Sequence, residues 1–96
     1  MLNYQDIAKI VREVANAELP GKSFEDVIAE PFVDSQGDAA LRITIVLRPN
    51  VAMRLTGDAV LDTLVQIQRR LSQEGEERFP LIEYATREEL EEVGDS

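Results

Sequence analysis

A chain of 96 residues with 44% hydrophobic and 30% charged side chains has the composition of one globular domain, not of a disordered segment. It contains no cysteine and no histidine, which excludes a disulfide framework, zinc sites built on imidazole or thiolate, and Ser-His-Asp or Cys-His nucleophiles. No apolar run approaches the roughly 20 residues that span a bilayer. The opening MLNYQDIAKIV has neither the basic start nor the apolar middle of a secretory signal, so a cytoplasmic location is expected.

The net charge of −9 is unevenly placed: residues 1–72 carry eight Lys/Arg against ten Asp/Glu, and residues 73–96 carry two against nine. The body is close to balanced and the acidity belongs to the C-terminal quarter. An acidic chain repels phosphate backbones and anionic membrane surfaces, which disfavours both as partners.

In chain order, Asn3 is placed to cap a first helix whose Ile7, Ile10, Val11 and Val14 share one face before Pro20-Gly21 ends it. FEDVIAEPFV (24–33) predicts a strand with a bulge near Val27-Ile28, and Pro31 places it at a sheet edge. Asp34–Asp38 is a turn by composition. ALRITIVLR follows as the clearest strand, with Leu41, Ile43, Ile45 and Leu47 on one side and Arg42, Thr44, Val46 and Arg48 on the other. The connector Val51–Leu55 has no period and reads equally as a buried extension or an apolar lip.

Thr56–Gly75 is the longest helical pattern, with Val60, Leu61, Leu64, Ile67, Gln68 and Leu71 forming its stripe, Thr56 as cap and Gly75 as a left-handed stop. Glu76-Glu77-Arg78 reads as solvated loop, Leu81–Ala85 as a short strand, and Thr86-Arg87-Glu88-Glu89 as a capping box that opens a terminal helix through about Val93. Gly94-Asp95-Ser96 is expected to fray. The five aromatics, Tyr4, Phe24, Phe32, Phe79 and Tyr84, are assigned to the core.

The order α-β-β-α-β-α, with a helix between the second and third strands, predicts a parallel pair there and a three-stranded mixed sheet of order 1-2-3. The fold class is α+β, a two-layer sandwich with two main helices on the Leu/Ile face and a short C-terminal helix. Residues 1–96 form one domain, with 87–96 as an acidic helix and tail.

Candidate sites are few. Asp34 and Asp38 could flank a hard cation, but turn-forming explains them better, since the loop lacks the ligand alternation of a calcium loop. Asp58 and Asp62 are accounted for by the helix dipole and a polar face. Neither GxxxxGK[ST] nor GxGxxG occurs, and no catalytic residue, cofactor or metal is assigned. Arg42 and Arg48, with Arg54, Arg69 and Arg70 nearby in sequence, make the candidate basic patch, which has no aromatic to stack a base. The face Arg42, Thr44, Val46 and Arg48, expected to lie open, is with Arg54 the candidate interaction surface. Glu88, Glu89, Glu91 and Glu92 are the candidate acidic docking segment.

Two resemblances bear on this reading. The α-β-β-α-β order resembles KH-related folds, including the ribosome-binding factor A family, which implies RNA binding; the Gly-x-x-Gly loop and basic surface of those domains are absent here. LRITIVL (41–47), LDTLVQIQRRL (61–71) and FPLIEYATREEL (79–90) resemble small uncharacterised acidic bacterial proteins, some encoded beside toxin genes. That likeness implies an antitoxin-like binding role. The expectation is therefore a non-enzymatic protein-protein interaction module, a homodimer or the partner of another protein. An RNA-binding assembly factor is the alternative, and a carboxylate-based metal enzyme is a third.

Overall fold

The computed structural model describes residues 2–51 and 54–94. Six elements follow one another: α1 (Tyr4–Glu18), β1 (Phe24–Val33), β2 (Ala39–Leu47), α2 (Gly57–Gln73), β3 (Phe79–Thr86) and α3 (Arg87–Gly94). The strands form one sheet of order β1-β2-β3, antiparallel between β1 and β2 and parallel between β2 and β3. This is the α+β sandwich expected from the pattern. Asp95 and Ser96, and Ala52 and Met53 of the connector, lie outside the described residues.

Local chemistry sets the element ends. Asn3 Oδ1 accepts from the Asp6 amide at 2.8 Å and Thr56 Oγ1 from the Ala59 amide at 3.1 Å, each satisfying an N–H that has no partner within its helix. Gly75 closes α2 at φ 89°, the left-handed region open to glycine at least cost. Thr86 and Glu89 form the reciprocal capping box of α3: Glu89 accepts from the Thr86 amide at 3.1 Å, and Thr86 Oγ1 from the Glu89 amide at 3.2 Å. In the hairpin turn, Asp34 Oδ1 accepts from the amides of Gln36 and Asp38, both at 2.9 Å, so this oxygen serves the loop backbone.

Leu41, Ile43, Ile45 and Leu47 are buried against Ile7, Ile10, Val11 and Val14 of α1 and Ile67 and Leu71 of α2. β1 adds Val27, and Ile82 and Tyr84 of β3 pack on the rim of this core. Helix α1 lies along β1 and α2 along β3, where the Tyr84 hydroxyl reaches the Val60 carbonyl at 3.4 Å.

The structure corrects the sequence reading at four places. The irregularity of β1 falls between Phe24 and Asp26, not at Val27-Ile28, so Val27 and Ala29 stay in phase with Ile45 and Ile43. The buried stripe of α2 includes Thr63, and Leu61 is 60% exposed. Thr63 faces Tyr84 of β3, while α1 takes the Arg70 flank of α2 through Glu13, and Leu61 is left on the far side. β3 begins at Phe79, and Phe79 is itself 64% exposed, because it shares the outer side of the sheet with Ala40.

The fourth correction concerns the loop after α2. Glu76 is buried, and both its carboxylate oxygens are occupied. Oε1 accepts from the Leu2 amide and Arg78 Nη2, each at 3.0 Å, and Oε2 from the Arg78 amide and Nε, each at 2.9 Å. Arg78 also donates to the Tyr4 hydroxyl at 3.1 Å and the Leu2 carbonyl at 3.0 Å, with its guanidinium 5.3 Å from the Tyr4 ring centroid. This pair ties the start of α1 to the α2–β3 loop. The Arg78 hydrogen bonds hold the Glu76 carboxyl down to about 2, from an ordinary 4.5, against the cost of its burial.

Replacing Ile43 by alanine is expected to cost about 2–5 kcal/mol, whereas Leu61→Ala should stay within about 0.5 kcal/mol; urea unfolding monitored by circular dichroism checks both. Because the folded-state pKa of Glu76 is depressed, its contribution is complete above about 4.5 and fades as pH falls toward about 2. Glu76→Gln should therefore be less stable than wild type at pH 7, by about 1–3 kcal/mol, with the gap narrowing across that acid window.

Candidate interaction surface

The two sides of the sheet have opposite fates at opposite ends. On the outer side, register places four rows across the strands: Phe32–Ala40–Phe79, Glu30–Arg42–Leu81, Ile28–Thr44–Glu83 and Asp26–Val46–Ala85. The last two rows were expected to be open. Instead Thr44 is buried and Val46 is 0% exposed.

Helix α3 accounts for this. It leaves β3 at Thr86 and lays Leu90 and Glu89 along a pocket shared with Thr44 and Ala85. Arg87 spans the Val46 row to reach Glu25 at 2.7 Å and Asp26 at 3.7 Å on β1. Asp26 is held below its ordinary pKa first by the Val27 amide, at 2.8 Å, with Arg12 (3.2 Å) and Arg87 adding to this. The short helix thus forms a partial third layer over one end of the sheet. Its signal in the sequence was Leu90, the lone apolar residue among Glu88, Glu89, Glu91 and Glu92, all four of which are exposed.

Nor do the arginines of the expected patch form one surface. Arg42 lies in the outer face between Glu83, at 3.1 Å, and the Phe32 ring, 5.7 Å from its centroid. Arg48 lies past the end of β2 and Arg54 in the connector, both exposed, at one end of the molecule. With Arg42 engaged and Thr44 and Val46 covered, the open sheet face proposed from alternation alone is not present as such.

What is open lies along β3. Phe79 and Leu81 are exposed on its outer side. On α2, Arg70 turns toward α1 and meets Glu13 at 3.0 Å. At 100° per residue, Leu61, Leu64, Val65 and Gln68 then fall on the opposite flank, beside the free edge of β3. Leu61 and Val65 are exposed there; the four side chains are themselves uncharged, and Asp58, Asp62 and Arg69 border them on the solvent side. β3 itself contains a single ionisable carboxylate, Glu83, already neutralised by Arg42. The edge of β1 differs: it has the irregularity at Glu25, Pro31 within it, and Glu25, Asp26 and Glu30 along it. These are the devices by which edge strands resist pairing.

No protein-family model matches this sequence, and neither a curated protein nor a solved structure is significantly similar to it. Among the described residues no helix is long and apolar enough to cross a membrane. The surfaces are therefore read from their own chemistry.

Removing residues 87–96 should uncover Val46 and lower stability by about 1.5–3 kcal/mol, the worth of burying one such side chain. Calorimetric or denaturant unfolding of the truncated chain measures it, and a chain of unchanged stability would contradict the roof.

Proposed function

We propose that this chain is a non-enzymatic protein-interaction module that self-associates through the β3 edge and the adjoining flank of α2. The observation that carries the reading is the juxtaposition of an unguarded edge strand with exposed Phe79, Leu81, Leu61 and Val65, an apolar strip bordered by charged side chains. In a chain of net charge −9, two copies repel wherever carboxylates meet. Such a strip is the surface on which that repulsion is least. A two-fold axis beside β3 would run its copies antiparallel and extend the sheet from three strands to six. Depletion of charge with retained aromatic and aliphatic area is the composition of interface centres.

The exposed carboxylates of Glu88, Glu89, Glu91 and Glu92 support a second, compatible role as a docking segment for a basic protein partner, in the manner of an antitoxin. An RNA-binding reading has less support, because Arg42 is already paired and the arginines are divided between two regions.

Sedimentation equilibrium at micromolar to high-micromolar concentration is expected to show a monomer–dimer equilibrium. Leu81→Lys and Leu61→Glu should each weaken it roughly tenfold or more, while Val33→Glu on the guarded β1 edge leaves it unchanged. A strict monomer across that range would sink the proposal.

A further inference from the structure

At the end of the molecule opposite the hairpin turn, two loops meet. One joins α1 to β1 and the other leaves β2 toward α2. They are tied together by the Arg48 amide donating to the Ser23 carbonyl at 3.0 Å, and the first is braced by the buried Ser23 hydroxyl on the Pro20 carbonyl. Between them lies a pocket of about 280 Å³. Lys22 comes from the first loop, Arg48 from the end of β2 and Arg54 from the connector, so segments distant in sequence converge on it. No carboxylate lines it, and among the described residues none of these three cations forms an ion pair. The neighbouring carboxylates Glu25 and Glu88 border a separate pocket beyond Pro49, and Glu25 is engaged by Arg87 at 2.7 Å.

Elsewhere in this acidic chain Arg12, Arg42, Arg70, Arg78 and Arg87 each meet a carboxylate. Among the described residues Lys9 and Arg69 also form no ion pair, but Lys22, Arg48 and Arg54 line one pocket, where an anion would relieve their mutual repulsion. The backbone bears a further sign. Lys22 and Asn50, one on each loop, sit at φ 57° and 68°, a left-handed conformation that asparagine tolerates and lysine rarely adopts. A glycine at position 22 would be free of that strain, yet a lysine occupies it. Strain of this kind gathers where a side chain has to be aimed.

We propose that this pocket binds a small phosphorylated anion, with the phosphoryl group held by Arg48, Arg54 and Lys22. Two guanidinium forks and an ammonium match the oxygens of a phosphoryl or diphosphoryl group better than a lone carboxylate. The size suits a small ligand. No aromatic residue lines the site to stack a base, and the net charge of −9 repels a long polyphosphate backbone. The class is therefore a free inorganic phosphate or pyrophosphate, or the phosphoryl group of a small metabolite, and not a nucleic acid.

Isothermal titration of the full chain at low salt with inorganic phosphate and with pyrophosphate tests this, with phosphate esters added to separate the free anion from a metabolite. Saturable binding is expected, tighter for pyrophosphate. Arg48→Gln and Arg54→Gln should each weaken it about tenfold or more, while Arg69→Gln, on the exposed side of α2, leaves it unchanged. Lys22→Gly serves as the folding control: its melting temperature should match or exceed wild type while pyrophosphate affinity falls. Absence of binding at millimolar anion, or equal loss in Arg69→Gln, overturns the proposal. So does tight, salt-sensitive binding of structured RNA through the same residues without pyrophosphate competition. Dimer dissociation in Arg48→Gln and Arg54→Gln would also overturn it, since the cations would then be serving the acidic helix of a second copy.

Discussion

Strand β2 is buried on both sides, and the rest of the molecule is arranged to make that possible. From Ala40 to Leu47 Arg42 alone keeps appreciable exposure. The inner side is closed by α1 and α2 through an ordinary aliphatic core. The outer side has no long helix to close it. It is dried by three lesser means: Phe32 and Phe79 flanking Ala40, the Arg42–Glu83 pair across to β3, and α3, whose Arg87 spans the Val46 row while Leu90 lies beside Thr44. Each is marginal alone, since an exposed ion pair is worth under about 1 kcal/mol and a helix of 8 residues is not stable in isolation. Together they let the central strand carry valine and threonine on its outer side without showing them to water.

The parallel pairing of β2 with β3 has a consequence for association. It requires the crossover helix α2 to run beneath β3, the strand at the free edge. The helix therefore cannot be covered on both flanks: α1 takes one, and the other lies beside the edge, with Leu61 and Val65 left bare. An apolar helix flank and an unpaired strand edge come together by topology. The acidic residues along β1 guard one side of the sheet, and no comparable guard stands on the other.

Electrostatics sorts the remaining surface. Most arginines are drawn to carboxylates, and the Glu76–Arg78 pair is the most deeply placed of these, joining the first residues of the described chain to the loop before β3. Desolvation makes such a pair costly to create and costlier to break. Hydrogen bonds from Leu2 and Arg78 to both carboxylate oxygens offset it here. The reading of Glu76-Glu77-Arg78 as solvated loop failed because composition cannot report that the N-terminus folds back to supply an amide.

The patterns of period and punctuation were sufficient for the elements themselves. Alternation in LRITIVL, the caps at Asn3, Thr56 and Thr86, the stop at Gly75 and the helix between the last two strands determined the order, the register of faces and the parallel pair, because these depend on residues within a few positions of one another. Which residues end up bare was decided only in three dimensions. Leu61 is exposed because α1 claims the other flank of its helix, Val46 and Thr44 are covered because Arg87 and Leu90 come back from the far end of the chain, and Arg42 parts from Arg48 and Arg54 because strand direction and loop path separate them. Lys22 joins the latter two through a backbone hydrogen bond between loops 25 residues apart. Burial is a property of neighbours, and those neighbours are set by packing between distant segments, which local sequence does not encode.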